Sequence, residues 1–232
     1  MSIVNLHKDI RRSDGELPLD LSSSDARWEG TKEVHQQFRR LRSLLVTNAP
    51  SHLSVVIASI RDSAAAAWVA SNLACAFAEN GESSLLALVS GEQPQAGLQL
   101  NAANPALDLD LGDGCRGFSL RSTQTSHISL LDWTAASGPQ VAASTAFALA
   151  IPKLRDLTRV LLVDSAPLAE SSQCLELAQF STGVVLVLDA NRDSRAEIQH
   201  QADIIKRAGF RLLGAVLNNR EPELPSLIER ML

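Results

Sequence analysis

Apolar runs of β-branched residues and leucine alternate along this chain with longer segments of helical periodicity. Unbroken apolar runs are typical of parallel strands that are buried on both faces. Connections between parallel strands cross the sheet, usually as helices, so the pattern predicts a doubly wound α/β domain with a mainly parallel sheet flanked by helices. The runs predict six strands, at residues 53–59, 83–89, 127–133, 159–164, 183–189 and 211–217.

Helical periodicity is clear in the first half of the chain, where apolar residues recur every three or four positions. A first helix is predicted over 31–46, and an alanine-rich helix follows the first strand and ends at Gly81. Further helices are predicted at residues 139–154, 193–208 and 222–232. Polar residues 1–30 are expected to form a flexible lead-in, and residues 95–126 an irregular, mostly exposed excursion. Residues 31–232 therefore form one predicted domain.

Composition narrows the class of protein. The chain has 232 residues, 45% of them apolar, which is enough to bury one α/β core. Its net charge of −5 argues against a dedicated nucleic-acid binder. Cys75 and Cys174 lie in apolar helical patterns and are interpreted as core residues in a reducing compartment. No apolar run is long enough to span a membrane, so a cytoplasmic protein without direct membrane insertion is expected.

The stretch from Leu53 to Gly81 has the frame of a phosphate-binding site, namely a buried strand, a short polar turn and a long helix. A working phosphate-binding loop needs glycines for the backbone to curl around phosphates, a lysine for their charge and a hydroxyl for magnesium. The corresponding positions are one serine and four alanines, Ser63, Ala64, Ala65, Ala66 and Ala67. The frame is present without its chemistry.

Several segments together resemble one family. The first helix has Gln36, Arg39 and Arg42 in the spacing Gln-x-x-Arg-x-x-Arg, and residues 65–74 read Ala-Ala-Ala-Trp-Val-Ala-Ser-Asn-Leu-Ala. Further along stand Leu-Val-Asp-Ser-Ala-Pro at 162–167 and Leu-Gly-Ala-Val-Leu-Asn at 213–218. In this order they resemble the MinD/ParA-like P-loop NTPases, and among them the cytosolic domain of bacterial tyrosine autokinases (BY-kinases), which partner polysaccharide co-polymerases.

The chain differs from that family at the positions that hold the family's nucleotide-binding, metal-binding and acceptor groups. The resemblance places the family's loop lysine at Ala66, its magnesium hydroxyl at Ala67 and a threonine at Trp68, whose ring is expected to fill part of the phosphate site. Both carboxylates of the second Walker segment, at 85–92, are lost; Asp164 alone remains. The family's tyrosine acceptors are missing as well, since the sequence contains no tyrosine.

The resemblance therefore implies a degenerate nucleotide site with no catalytic residue, no metal and no tight binding of ATP and magnesium. This site comprises Ser63, Ala64, Ala65, Ala66, Ala67, Trp68, Asp164 and Asn218, the last lying where the family contacts the base. The expected function is that of a pseudokinase that regulates or scaffolds exopolysaccharide or capsule synthesis and export. It would bind the cytosolic segment of a membrane co-polymerase or synthase, which would recruit it to the inner face of the plasma membrane.

The first helix is the candidate interface. The family uses its Glu-x-x-Arg-x-x-Arg motif for ring assembly, and Gln36 in place of the glutamate weakens reciprocal pairing with Arg39 and Arg42 of a neighbour. A homo-oligomer is left open on this basis. Two alternative functions also stand: a residual ATP-binding tyrosine kinase or ATPase of the same pathway, and a MinD/ParA-type positioning ATPase.

Overall fold

The computed structural model describes residues 32–47, 51–89, 107–109, 118–133 and 140–218. The predicted lead-in at 1–30, the third cysteine, Cys115, and the predicted terminal helix at 222–232 lie outside the described residues.

Eight described strands form a single sheet in the order β3-β4-β5-β2-β6-β1-β7-β8. Neighbours from β5 to β8 along this order pair in parallel, whereas β3, β4 and β5 pair antiparallel in turn. The described elements are α1 (Lys32–Thr47), β1 (Leu53–Ser59), α2 (Ser63–Ala78), β2 (Ser84–Ala87), β3 (Leu107–Leu109), β4 (Phe118–Ser122), β5 (Ile128–Trp133), α3 (Gln140–Leu157), β6 (Val160–Asp164), α4 (Gln173–Ala178), β7 (Gly183–Asp189), α5 (Arg195–Arg207) and β8 (Leu212–Asn218).

Alternation along the central strands divides the core into two layers. Val55 and Ile57 of β1 pack in the layer that α1 and α2 cover. Val56 and Ala58 point the opposite way, into the layer covered by α3, α4 and α5. All seven residues of β1 are buried, as expected for a central parallel strand with helices on both sides. The predicted doubly wound α/β fold is confirmed.

The six predicted strands all exist, and the predicted helices at 31–46, 139–154 and 193–208 match α1, α3 and α5 within a few residues. The prediction for residues 95–126 was wrong in part, because β3 and β4 lie there and extend the sheet. Leu109 and Phe118 of this pair are buried, at 7% and 2% exposure. The signal is weak because β4 reads Phe-Ser-Leu-Arg-Ser, with only two apolar residues. Helix α4 is six residues long and was not predicted.

Gly183 begins β7 at a point where the neighbouring chain is very close. A Cβ at this position would lie 2.5 Å from the Arg211 carbonyl oxygen and 2.8 Å from Leu213 Cγ. Gly183→Ala is therefore expected to lower the free energy of unfolding by about 1–3 kcal/mol, the usual effect of overpacking. Gly214→Ala is the matched control, since a Cβ there meets nothing within 4 Å. Urea denaturation of both variants measures the difference; equal stability of the two would contradict the packing argument.

Candidate functional site

The turn between β1 and α2 is closed by Asp62, the N-cap residue of the helix. Its carboxylate accepts hydrogen bonds from the backbone N–H groups of Ala64, at 3.0 Å, and Ala65, at 3.3 Å. Backbone N–H groups at a helix N-terminus are the groups that bind phosphate in related folds. Here a side-chain carboxylate of the chain already accepts from two of them. Its negative charge also lies where a phosphate oxygen would lie.

The alanines that follow are inside the helix rather than in an open loop. Helix α2 begins at Ser63, and Ala66 and Ala67 are 0% and 2% exposed. Both belong to the apolar cluster beneath α1 and α2. A lysine at position 66 would start from this buried, apolar position, where an unpaired ammonium group is strongly destabilised.

Trp68 lies at the contact between α1 and α2. Its ring meets Phe38 edge-on, with 5.5 Å between ring centroids and an interplanar angle of 67°. Such T-shaped pairs stabilise a contact by about 0.5–1.5 kcal/mol beyond burial. The ring of Trp68 thus packs against α1, and this contact helps to hold α1 and α2 together.

The segment after β2, where the family places two carboxylates, is held by a network of hydrogen bonds. Leu88 is buried in the same apolar cluster as Ala66. Asp164, fully buried at the end of β6, accepts from the Val89 backbone N–H. Gln173 of α4 donates to the Val89 carbonyl at 3.3 Å and accepts from the Ala166 N–H at 2.6 Å. Asp164 therefore helps to fix the end of β2.

An open cleft lies between the carboxyl ends of β1 and β7, where α2 leaves toward one face of the sheet and α5 toward the other. Open α/β sheets bind their ligands at such a point. The cleft is small, since its empty space of about 240 Å³ includes open solvent. Its lining residues are Ser59, Ile60, Arg61, Asp62, Ala65, Val187, Asp189, Arg192 and Asp193.

Sequence reasoning missed the acidic residues of this cleft. Asp189 and Asp193 were seen only as the end of a strand and the start of a helix, and Glu197 was not considered. A carboxylate at the end of a buried strand, followed by two more within eight residues, was the available signal. Asn218 lies beside them, because it pairs with Asp189 across β7 and β8. Its carbonyl accepts from the Ala190 N–H at 3.0 Å.

Arg39 and Arg42 of α1 are paired within the chain. Arg39 forms a bidentate ion pair with Glu79 at the end of α2. Its Nε lies 2.8 Å from Oε2, and its Nη2 lies 3.0 Å from Oε1. The hydrogen bond to Glu79, and then its charge, raise the pKa of Arg39. Arg42 Nη1 lies 3.3 Å from Glu82 Oε1. Gln36, the third candidate interface residue, is exposed.

Known proteins resemble this chain in sequence and in fold. No family model matches the sequence. CapB of Staphylococcus aureus, assigned as a tyrosine-protein kinase, is 23% identical over 193 residues, which cover 80% of this chain and 84% of CapB. The chain is homologous to CapB. The chimerical protein CapA2B2 has a TM-score of 0.67 at 22% identity, covering 81% of this chain and 85% of its own.

The kinase domain of VpsO gives the same TM-score of 0.67 at 19% identity, over 82% of this chain and 98% of that domain. At these identities the solved structures show that the fold is shared. The predicted resemblance to the bacterial tyrosine autokinases, within a P-loop NTPase-like fold, is confirmed.

None of the described helices combines the length and apolar character needed to cross a bilayer. Across the same part of the chain, no group of three or more histidine, cysteine, aspartate and glutamate residues is placed to hold a metal ion.

Cys174 lies beneath the Asp164 network, on α4, and is buried with a free thiol. Burial raises the pKa of this thiol from 9.0 to about 12, and a hydrogen bond with Ser165 partly opposes the rise. The folded protein therefore keeps the proton at a pH where the unfolded chain has lost it.

Because of this raised pKa, we expect Cys174 to make stability fall as pH rises above about 9, toward about 12. The slope approaches about 1.4 kcal/mol per pH unit for this one group. Urea denaturation from pH 8 upward, compared with the variant Cys174→Ala, isolates it, because the variant lacks the thiol. Parallel pH profiles for the two proteins would contradict the assignment.

Proposed function

We propose that this chain is a catalytically inactive relative of the bacterial tyrosine kinases, a pseudokinase that regulates or scaffolds exopolysaccharide or capsule synthesis and export. It acts by binding the cytosolic segment of a membrane co-polymerase or synthase, which recruits it to the inner face of the plasma membrane. The observation that carries the proposal is the Asp62 carboxylate, which accepts hydrogen bonds from the backbone N–H groups of Ala64 and Ala65 at the start of α2.

The residues at this site do not fit a magnesium-bound triphosphate. Ala66 and Leu88, at the family's lysine and carboxylate positions, are buried among apolar side chains. Each lost charge-assisted hydrogen bond to phosphate forfeits roughly 1.5–3 kcal/mol, so losing the lysine and the hydroxyl lowers affinity by on the order of two to four decades. The Asp62 carboxylate adds repulsion. The absence of tyrosine from the sequence agrees with a protein that is not an autokinase.

Titration calorimetry with ATP, with and without magnesium, tests the inactive site. We expect no saturable binding at submillimolar ATP under either condition. Asp62→Ala, which removes the carboxylate but leaves Ala66 and Leu88 in place, should also fail to bind. Submillimolar, magnesium-dependent binding by the natural chain would contradict the proposal. Phosphate release that disappears in Asp164→Asn would favour the residual kinase or ATPase instead.

The partner contact is assigned to the outward face of α1. Because Arg39 and Arg42 are engaged by Glu79 and Glu82, the exposed cations of α1 that can meet a partner are Lys32, at the start of the helix, and Arg40. The residue assigned to the contact is Arg40. Its guanidinium suits carboxylates of a cytosolic segment.

Affinity capture with this chain is expected to recover a polysaccharide co-polymerase from its own cells, independently of added ATP. Arg40→Glu should reduce the recovery several-fold. Arg207→Glu, the same charge reversal at an exposed position on α5, should leave it unchanged. Equal loss in both variants would point to a nonspecific charge effect, and the assignment of α1 would be withdrawn.

A further inference from the structure

The cleft beside β1 and β7 has a charge opposite to that of a phosphate site. Carboxylates of Asp62, Asp189 and Asp193 line it, and Arg61 and Arg192 are the cations of its lining. Glu197, in the first turn of α5, adds a further carboxylate that reaches Arg61. Such a surface repels anions and attracts cations.

Asp193 is the deepest of these acids and has an incomplete set of partners. Its side chain is 2% exposed. Oδ2 accepts from the Asp189 N–H at 2.7 Å. Oδ1 is buried and has no hydrogen-bond donor within the described part of the chain. Burial destabilises a carboxylate unless hydrogen bonds or a nearby positive charge compensate for its lost hydration. A cation in the cleft would compensate Oδ1 in this way.

Arg61 supplies that cation from the turn before α2. Its Nε lies 4.0 Å from Asp193 Oδ1, and its Nη2 donates to Glu197 Oε1. The other oxygen of Glu197 is already used at the N-cap of α5, where Oε2 accepts from the Ser194 N–H at 3.1 Å and its hydroxyl at 3.0 Å. One guanidinium thus reaches from the β1–α2 turn to both the buried acid and the cap of α5.

We propose that the cleft is a guanidinium-binding site, which the chain fills with its own Arg61. A planar guanidinium presents several N–H donors in a fork, and so it can address Asp193 and Glu197 at once; an ammonium is a point charge. The occupied site ties the β1–α2 turn to the start of α5 without a nucleotide. The inference deepens the proposed function, because it gives the proposed degenerate nucleotide site a positively charged ligand in place of an anionic one. It rests on the proposed function only in identifying the cleft with that site.

Hydrogen exchange of the amides at 189–197, read by mass spectrometry on the full chain, tests the site. Arg61→Ala should speed their exchange at least tenfold, and Arg61→Lys should restore protection only in part. Millimolar methylguanidinium chloride should return the Arg61→Ala variant toward natural protection, whereas equimolar sodium chloride should not. Arg192→Ala is the matched control, since Arg192 lines the same cleft and is exposed, and its exchange should be unchanged.

Glu197→Gln gives a second route to the same answer. Glutamine keeps the hydrogen bonds of the helix cap, but it loses the charge that meets Arg61. Exchange at 189–197 should again accelerate, and adding Arg61→Ala should bring little further change. Natural exchange rates in Arg61→Ala, or a loosening that methylguanidinium fails to reverse, would overturn the inference. The ATP titration of the natural chain is a separate measurement, so the failure of the proposed function is distinguishable from the failure of this site.

Discussion

The structure depends on how the first turn of a deeply buried helix satisfies its N–H groups. Nearly all of α2 is buried, so its N-terminal donors have little access to water. In related folds a bound phosphate accepts from such donors, and the helix is then complete only with its ligand. Asp62 provides an internal acceptor and contributes about 0.5–2 kcal/mol, the usual range for an N-cap. Two N–H groups in the first turn of α2 are thereby satisfied by a side chain of the same protein.

At the opposite end of α2, groups of the same chain again provide the compensation, but here cations pair with carboxylates. Glu79 and Glu82 lie near the C-terminus of the helix, where the macrodipole disfavours negative charge. Arg39 and Arg42 of α1 reach over and neutralise them. The Arg39 side chain is about half exposed, so solvent screens this ion pair and its contribution to stability is small. Its larger consequence is that these arginines already have partners in the same chain.

The sequence predicted those strands whose own burial fixes their residue pattern. The strands β1, β6 and β7 were readable because a strand buried on both faces has to be apolar throughout. Strand β4 was not, since an antiparallel strand near the edge needs only Phe118 and Leu120 on one side. At the candidate site, the replacement of the family's lysine by Ala66 was visible in the sequence. The contact of Arg61 with Glu197 was not, because 136 positions separate them and only the tertiary fold brings them together.

The residues at the proposed degenerate nucleotide site are mutually consistent, which a single damaged loop would not explain. The helix terminus has an internal acceptor in Asp62. The family's carboxylate position just after β2 has the buried Leu88, and Asp164 fixes the end of β2. Each change removes a group that a triphosphate needs and also satisfies a requirement of the folded protein. Restoring one charge would break a contact without rebuilding the others. Under the proposed function, a fold arranged in this way no longer depends on nucleotide at several separate points, and its retained surfaces are where selection for a binding role would act.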